Sequence, residues 1–300
     1  MTVNTTGFTT VVAVAEQEHY TTGTVISKDG TTIGYRQLGH GPGVILVQGT
    51  MGTAQHFMQL AGALADSFTV YVPDRRGRGI SGSGGNDYST QKDVEDLDAL
   101  LAKTGAHNVF GLSAGALIAL QAALALPAIR KVAVFEPVLF INGLPAALLT
   151  RFEQEMAQGK VVPALITAMK AAQMGPPIFN VMPRWLLERL TARAMAQEEK
   201  KGSGDYPPMR ELASTLNYDL RVVAEMNGPL DRFKAIRSDV LLMGGGKSPA
   251  YLKVALDTLE KSLPAAKRIE FAGLGHAAPW NADRRGQPEQ VAQALRQFFV

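Results

Sequence analysis

NVFGLSAGALIALQAALAL, residues 108–126, is the stretch that decides the fold. Asn108–Leu112 is a short apolar run typical of a buried strand, and Ala114–Leu126 is apolar almost all round, which predicts a buried helix. Gly111–Gly115 joins the two in the pattern G-x-S-x-G. A serine at such a sharp strand-to-helix turn needs residues without side chains two positions before and after it. The pattern occurs by chance in glycine-rich chains, but with a strand before and a helix after it predicts Ser113 as a nucleophile.

Strand and helix patterns alternate on both sides of this turn. Before it, strands are predicted at Tyr20–Ser27, Thr31–Leu38, Val44–Gln48 and Phe68–Val72, with helices at Ala54–Asp66 and Gln91–Lys103. After it, strands are predicted at Lys131–Phe135, Val240–Met243 and Arg268–Phe271, with helices at Tyr251–Leu263 and Pro288–Phe299. Such alternation predicts an α/β fold with a doubly wound, mostly parallel sheet.

A long segment without strand patterns interrupts this series. Helices are predicted there near Ala146–Gln158, Val162–Met174, Arg184–Lys200 and Met209–Met226. We therefore expect an N-terminal extension at 1–19, a core made of 20–137 and 238–300, and a helical insertion at 138–237.

The composition limits the classes of function. The 300 residues are 46% hydrophobic and 19% charged, which is ordinary for a globular protein. The formal net charge is only +3, and no Lys/Arg block suggests nucleic acid. There are no cysteines, and no pattern suggests a metal site or another cofactor. The sequence shows neither a signal peptide nor a membrane span, so we expect a cytoplasmic monomer or homodimer acting on a small molecule.

The five histidines allow the base to be chosen by elimination. His19 belongs to the extension, His40 to an early turn, and His107 precedes the strand before Ser113, at the edge opposite the site. His56 follows a glycine-containing loop and either lines the pocket or packs against its neighbours. His276 follows the last predicted strand, at the carboxyl edge of the sheet, and is predicted to be the catalytic base.

These pieces together resemble the α/β-hydrolase superfamily from about Tyr20 to Val300. The matching motifs are Gln48–Gly52, Pro73–Gly79, Gly111–Gly115 and Gly275-His276, together with the helical insertion. The resemblance implies an α/β-hydrolase fold, a Ser–acid–His catalytic triad, and a cap formed over the active site by the insertion.

The chain departs from this family at the triad acid. The acid often follows the strand that corresponds to Val240–Met243, but that slot holds Ser248, which carries no charge. Glu136 ends the strand after the nucleophile helix, where some branches of the superfamily place their acid. We predict Glu136 as the acid and keep Asp231 as the reserve candidate.

The resemblance also indicates an oxyanion hole and a pocket. One backbone donor should be Ala114, and the other Thr50 or Met51. Seven of the 11 methionines, Met156 to Met226, lie in the insertion. Although most of them should simply pack between helices, an apolar cap favours an apolar or aromatic acyl group. The candidate pocket residues are Gln48, His56, Phe135, Phe140, Phe179, Trp185 and Trp280.

Three functions remain open. The first is hydrolysis of a carboxylic ester or lactone through an acyl-enzyme. The second is hydrolysis of a C–C bond in a diketone of the ring-cleavage type, with the same triad. The third is ligand binding without catalysis, which the uncharged Ser248 alone supports.

Overall fold

One eight-stranded sheet organises the protein. The computed structural model describes residues 20–141, 143–173, 175, 178–202 and 204–300. The extension expected at 1–19 lies outside this range. The strands are β1 Thr21–Ile26, β2 Thr32–Leu38, β3 Gly43–Val47, β4 Thr69–Pro73, β5 Asn108–Leu112, β6 Lys131–Phe135, β7 Asp239–Gly245 and β8 Lys267–Phe271.

The strand order is β1-β2-β4-β3-β5-β6-β7-β8. The pairs β1–β2 and β2–β4 are antiparallel, and every other neighbouring pair is parallel. Parallel strands of this kind end at one edge, and β5 and β6 sit side by side in the middle of the sheet. The loops that follow these strands therefore meet at the carboxyl edge.

Helices connect the strands and cover both faces of the sheet. In the core they are α1 Met58–Ala65, α2 Thr90–Thr104, α3 Ala114–Ala125, α10 Ala250–Ser262 and α11 Pro288–Phe299. Buried apolar residues form one cluster against α2, α3 and α10 and another against α1 and α11. This arrangement confirms the predicted α/β-hydrolase fold with its mostly parallel sheet.

The segment between β6 and β7 is helical, as its sequence pattern suggests. Its helices are α4 Ala146–Ala157, α5 Val161–Ala171, α6 Ile178–Val181, α7 Arg184–Lys201, α8 Met209–Ser214 and α9 Leu216–Met226. The single helix predicted over Met209–Met226 is in fact two. It breaks at Thr215, whose hydroxyl donates to the Leu212 carbonyl at 2.7 Å and so competes with the helical ladder.

The insertion has its own apolar cluster, yet α9 belongs partly to the core. Phe152, Leu165 and Met195 are among the residues that pack together inside the insertion. Val222 and Met226 of α9 instead pack into the cluster around α3. Within the described ranges no helix is both long and apolar enough to cross a membrane.

Candidate active site

The turn from β5 into α3 holds Ser113 in a conformation that few residues adopt. Ser113 has φ 58° and ψ −116°, and its amide donates to the Phe135 carbonyl at 2.9 Å. A side chain at Gly115 would place Cβ 2.4 Å from the carbonyl oxygens of Val47 and Gln48. Glycine is therefore required there, since only it allows α3 to approach β3 so closely. The result is a serine at the N-terminus of a buried helix.

His276 and Glu136 meet at the cavity that Ser113 lines. His276 lies in the loop after β8 and lines the same cavity as Ser113. Its Nδ1 is 2.6 Å from Oε2 of Glu136, which directly follows β6 and is fully buried. The other carboxyl oxygen, Oε1, accepts the Gly245 amide at 2.6 Å. Both carboxyl oxygens are thus bonded, which fixes the carboxylate against the imidazole.

Neither Asp231, the reserve candidate for the acid, nor Ser248, which occupies the family's usual slot for it, is bonded to His276 in the described part of the chain. Asp231 is 77% exposed, pairs with Lys234 at 2.7 Å and borders a separate cavity. Ser248 is buried, and its hydroxyl has no hydrogen-bond partner among the described residues. The structure therefore brings Glu136, and not Asp231, to His276.

The loop after β3 lies directly against the nucleophile. A Cβ at Gly49 would stand 3.0 Å from the Ser113 Cβ. Of the two predicted donors on this loop, Met51 already gives its amide to Asp219 Oδ2 at 3.1 Å. Thr50 and Met51 both line the cavity with Ser113, and Ala114 is the first residue of α3. The amides of Thr50 and Ala114 are therefore the better candidates for an oxyanion hole.

A cavity of about 590 Å³ opens on Ser113 and His276. Its walls come from the core and from the insertion and are mostly apolar. Of the predicted pocket residues, it is lined by His56, Phe140, Phe179 and Trp280. Leu165, Met169 and Leu216 of the insertion face it as well.

Three predicted pocket residues are not walls of this cavity, and those predictions were wrong. Gln48 is fully buried, with its amide nitrogen 3.3 Å from the Leu46 carbonyl. Phe135 is fully buried in the sheet, where it stacks on Phe271. Trp185 is 65% exposed on α7. Position along the chain indicated proximity to the site, but the direction of each side chain excludes these three.

His56 forms an aromatic wall of the cavity together with Tyr206 and Trp280. Its ring centroid is 4.7 Å from each of theirs. The Thr53 amide donates to His56 Nδ1 at 3.1 Å, so a neutral ring carries its proton on Nε2. Burial, and then the charge of Arg284, lower the pKa of His56 from 6.5 to about 4. The fold therefore holds this imidazole uncharged.

This lowered pKa predicts a loss of stability in acid. Above pH 6.5 His56 is neutral in both states, whereas between pH 6.5 and 4 only the unfolded chain takes up the proton. Because of His56, we expect the free energy of unfolding to fall by about 2–3 kcal/mol when the pH is lowered from about 7.5 to about 4.5. Urea unfolding at both pH values measures this change.

Two variants distinguish the contribution of His56 to this pH dependence from the contributions of other titrating groups. His56→Gln should remove most of that part of the pH dependence, even if its stability at neutral pH is lower. His40 is exposed, so His40→Gln should keep the wild-type dependence. Equal pH dependence in His56→Gln and wild type would contradict the assignment.

Tyr251 and Asp219 are among the polar residues that line the cavity and that the sequence did not single out. Tyr251 is the second residue of α10, and burial followed by the charge of Glu136 raises its pKa, so its hydroxyl stays protonated. Asp219 of α9 is buried and also faces the cavity. The position of Asp219 on the apolar face of a helix could have marked it as a candidate site residue. No local pattern distinguishes Tyr251.

Among the described residues, no group of three His, Asp or Glu is arranged to hold a metal ion. The polar groups that the structure brings together here are Ser113 and His276, which line one cavity, and Glu136, which is bonded to His276.

The family follows from a match over most of the chain. Residues 44–294 match the model of the alpha/beta hydrolase family. The chain therefore belongs to the α/β-hydrolase family.

Particular relatives refine this placement. An alpha/beta hydrolase from Sphaerobacter thermophilus is 33% identical, with a TM-score of 0.75 over 93% of this chain and 100% of that one. The uncharacterized hydrolase YraK of Bacillus subtilis is 38% identical over 96 residues, which are 31% of this chain and 35% of that protein. The chain thus matches YraK over only about a third of the length of that protein. The enol-lactonase of Burkholderia xenovorans shares the fold at 19% identity, with a TM-score of 0.66 over 92% of this chain and 99% of that one.

Proposed function

We propose that the protein is a serine hydrolase that cleaves a carboxylic ester or lactone with an apolar or aromatic acyl part. The observation that carries the proposal is the shared cavity of Ser113 and His276, with Glu136 held 2.6 Å from His276 Nδ1. A carboxylate in that position keeps the proton on Nδ1 and leaves Nε2 free to accept one.

The reaction would proceed in two steps. The Ser113 hydroxyl gives its proton to His276 while its oxygen attacks the substrate carbonyl, and the carbonyl electrons move onto oxygen. The amides of Ala114 and Thr50 stabilise that oxyanion. The intermediate collapses to an acyl-enzyme as His276 protonates the leaving alcohol. Water activated by His276 then releases the acid and restores Ser113.

The cavity supports the choice of an apolar acyl group. About 590 Å³ is enough for a small organic substrate. Its walls include Leu165, Met169, Phe179 and Trp280. We propose that the insertion acts as a cap, since it supplies many of these residues.

The two alternatives have less support. Non-catalytic binding rested on the missing carboxylate at Ser248, and Glu136 now offers one from β6. Hydrolysis of a C–C bond has no observation of its own in its favour.

The test combines a covalent probe with three substrates. A fluorophosphonate should label wild-type protein at Ser113, located by peptide mass mapping. A p-nitrophenyl ester and a lactone of similar acyl size should then be hydrolysed at least about 100-fold more efficiently than a vinylogous diketone. Preferential turnover of the diketone would favour the C–C reaction. Absence of both labelling and turnover would overturn the proposal.

A further inference from the structure

The loop Gln48–Gly52, called here the oxyanion loop, does not hold its own shape by local bonds alone. Met51 has φ 56°, in the left-handed region that residues with a side chain seldom occupy. One bond within the loop, from the Gly52 amide to the Gly49 carbonyl at 3.0 Å, closes its turn. Other contacts must therefore hold Met51 in place.

Those contacts come from one buried carboxylate of the insertion. Asp219, on α9, accepts the Met51 amide at 3.1 Å through Oδ2. The same oxygen accepts Nη2 of Arg78, and Oδ1 accepts Nη1 of Arg75 at 2.6 Å. All three charged side chains are at most 5% exposed. Their charges therefore interact with little screening by solvent, and the carboxylate is held firmly.

Arg78 also binds the oxyanion loop, through two of the loop's carbonyl groups. Its Nη1 lies 3.2 Å from the Gly52 carbonyl and 3.4 Å from that of Gly49. Its Nε donates to the Thr215 hydroxyl, between α8 and α9, at 2.9 Å. Arg78 thus bonds to both ends of the loop segment that contains Thr50, and also to the insertion.

We infer that Asp219 and Arg78 are positioning residues that set the oxyanion loop for catalysis, so that the insertion completes the active site as well as covering it. The inference rests on the proposed function, because it assigns the Thr50 amide to the oxyanion. Neither side chain needs to touch the reacting atoms. Their effect passes through the Met51 amide and the carbonyls of Gly49 and Gly52.

This arrangement predicts a specific kinetic signature for Asp219→Asn. The amide retains the size of the carboxylate but loses the charge that attracts both arginines, so the loop should shift. We expect kcat for an aryl ester to fall about 10- to 100-fold, since removal of an entire oxyanion donor costs about 10²- to 10³-fold. KM should change less than about threefold, because the apolar walls of the cavity are untouched.

A matched pair of inhibitors tests the oxyanion directly. A trifluoromethyl ketone adds to the Ser113 oxygen: the serine proton passes to His276, and the carbonyl electrons form an oxyanion in the hole. The methyl ketone of the same chain length binds without that step. In Asp219→Asn, the inhibition constant of the trifluoromethyl ketone should rise in parallel with the loss of kcat/KM, and that of the methyl ketone should stay within about threefold.

The control variant lies on the same helix. Glu225 of α9 also bonds the insertion to the core, through the Thr90 amide at 2.8 Å, but it lies away from the oxyanion loop. Glu225→Gln should therefore keep kcat within about threefold. Asp219→Asn is expected to fold, because Val222 and Met226 still anchor α9. Active sites are titrated to completion with the fluorophosphonate so that only folded enzyme is counted.

Arg78→Lys provides a second route if Asp219→Asn does not fold. A lysine keeps the charge near Asp219 but cannot reach Thr215, Gly52 and Asp219 at once, so it should give the same signature. The inference is overturned if the folded variants keep kcat within threefold of wild type, if both ketones weaken equally, or if Glu225→Gln behaves like Asp219→Asn. Failure of wild-type enzyme to label at Ser113 would instead overturn the proposed function, and the inference with it.

Discussion

Replacing Ser113 with alanine is expected to lower kcat/KM for an aryl ester by at least about 10⁴-fold. The hydroxyl is the only proposed attacking group, so its loss removes the acyl-enzyme route. What remains should be slow hydrolysis by water aided by the oxyanion donors and by substrate binding. Steady-state kinetics and loss of fluorophosphonate labelling measure the effect.

The variant should fold like the wild type. Alanine is as strained at φ 58° as serine is. The hydrogen bond from the backbone amide of residue 113 to the Phe135 carbonyl does not involve the side chain and is unaffected. Ser248→Ala is the matched control, since Ser248 is also a buried serine and its hydroxyl is unbonded within the described part of the chain. It should retain activity within about threefold. More than about 1% residual activity in Ser113→Ala would place the nucleophile elsewhere.

Glu136→Gln carries the second largest expected effect, a fall in kcat of about 10³- to 10⁴-fold. The glutamine carbonyl would still accept the Gly245 amide, which leaves the side-chain NH₂ facing Nδ1 of His276. A donor there forces Nδ1 to be the acceptor and moves the ring proton to Nε2. The imidazole could then no longer accept the proton of Ser113, nor would its positive form be stabilised.

Asp231→Asn is the control for this variant. Asp231 is the other carboxylate considered from the sequence, but it is exposed and paired with Lys234. Its replacement should leave kcat within about threefold and the unfolding free energy nearly unchanged. Full activity in Glu136→Gln, or a large loss in Asp231→Asn, would remove Glu136 from the role of triad acid.

Much of the core could be predicted because its signals are local. A buried parallel strand must be apolar, and a helix covered on all sides must be apolar all round, so β5 and α3 show in the sequence. The turn at Ser113 needs glycine two residues away on each side for steric reasons. His276 could be chosen among the five histidines by elimination, because catalytic groups lie at the carboxyl edge of a parallel sheet. Its catalytic role, like that of Ser113, stays a prediction.

The walls of the cavity could not be predicted in the same way. Phe135 and Trp185 are aromatic residues of a kind that could line an apolar cavity. However, Phe135 is buried in the core and Trp185 is exposed to solvent. Tyr206 and Trp280 both meet His56 although the three residues lie far apart along the chain. Side-chain direction in loops and inserted helices depends on packing, which a hydrophobic period does not encode.

The sequence by itself determined the sheet, the strained serine at its carboxyl edge, and the histidine that follows the last strand. The sequence favoured Glu136 as the triad acid but kept Asp231 in reserve. Only the tertiary structure decided which of the two reaches His276, because they differ in burial and in hydrogen-bond partners. Likewise, Met51 meets Asp219 across 168 residues of chain, and Arg78 meets it across 141. Hydrogen bonds and buried charge pairs form over a few ångströms, and residues so far apart in the chain come that close only when the whole fold is assembled.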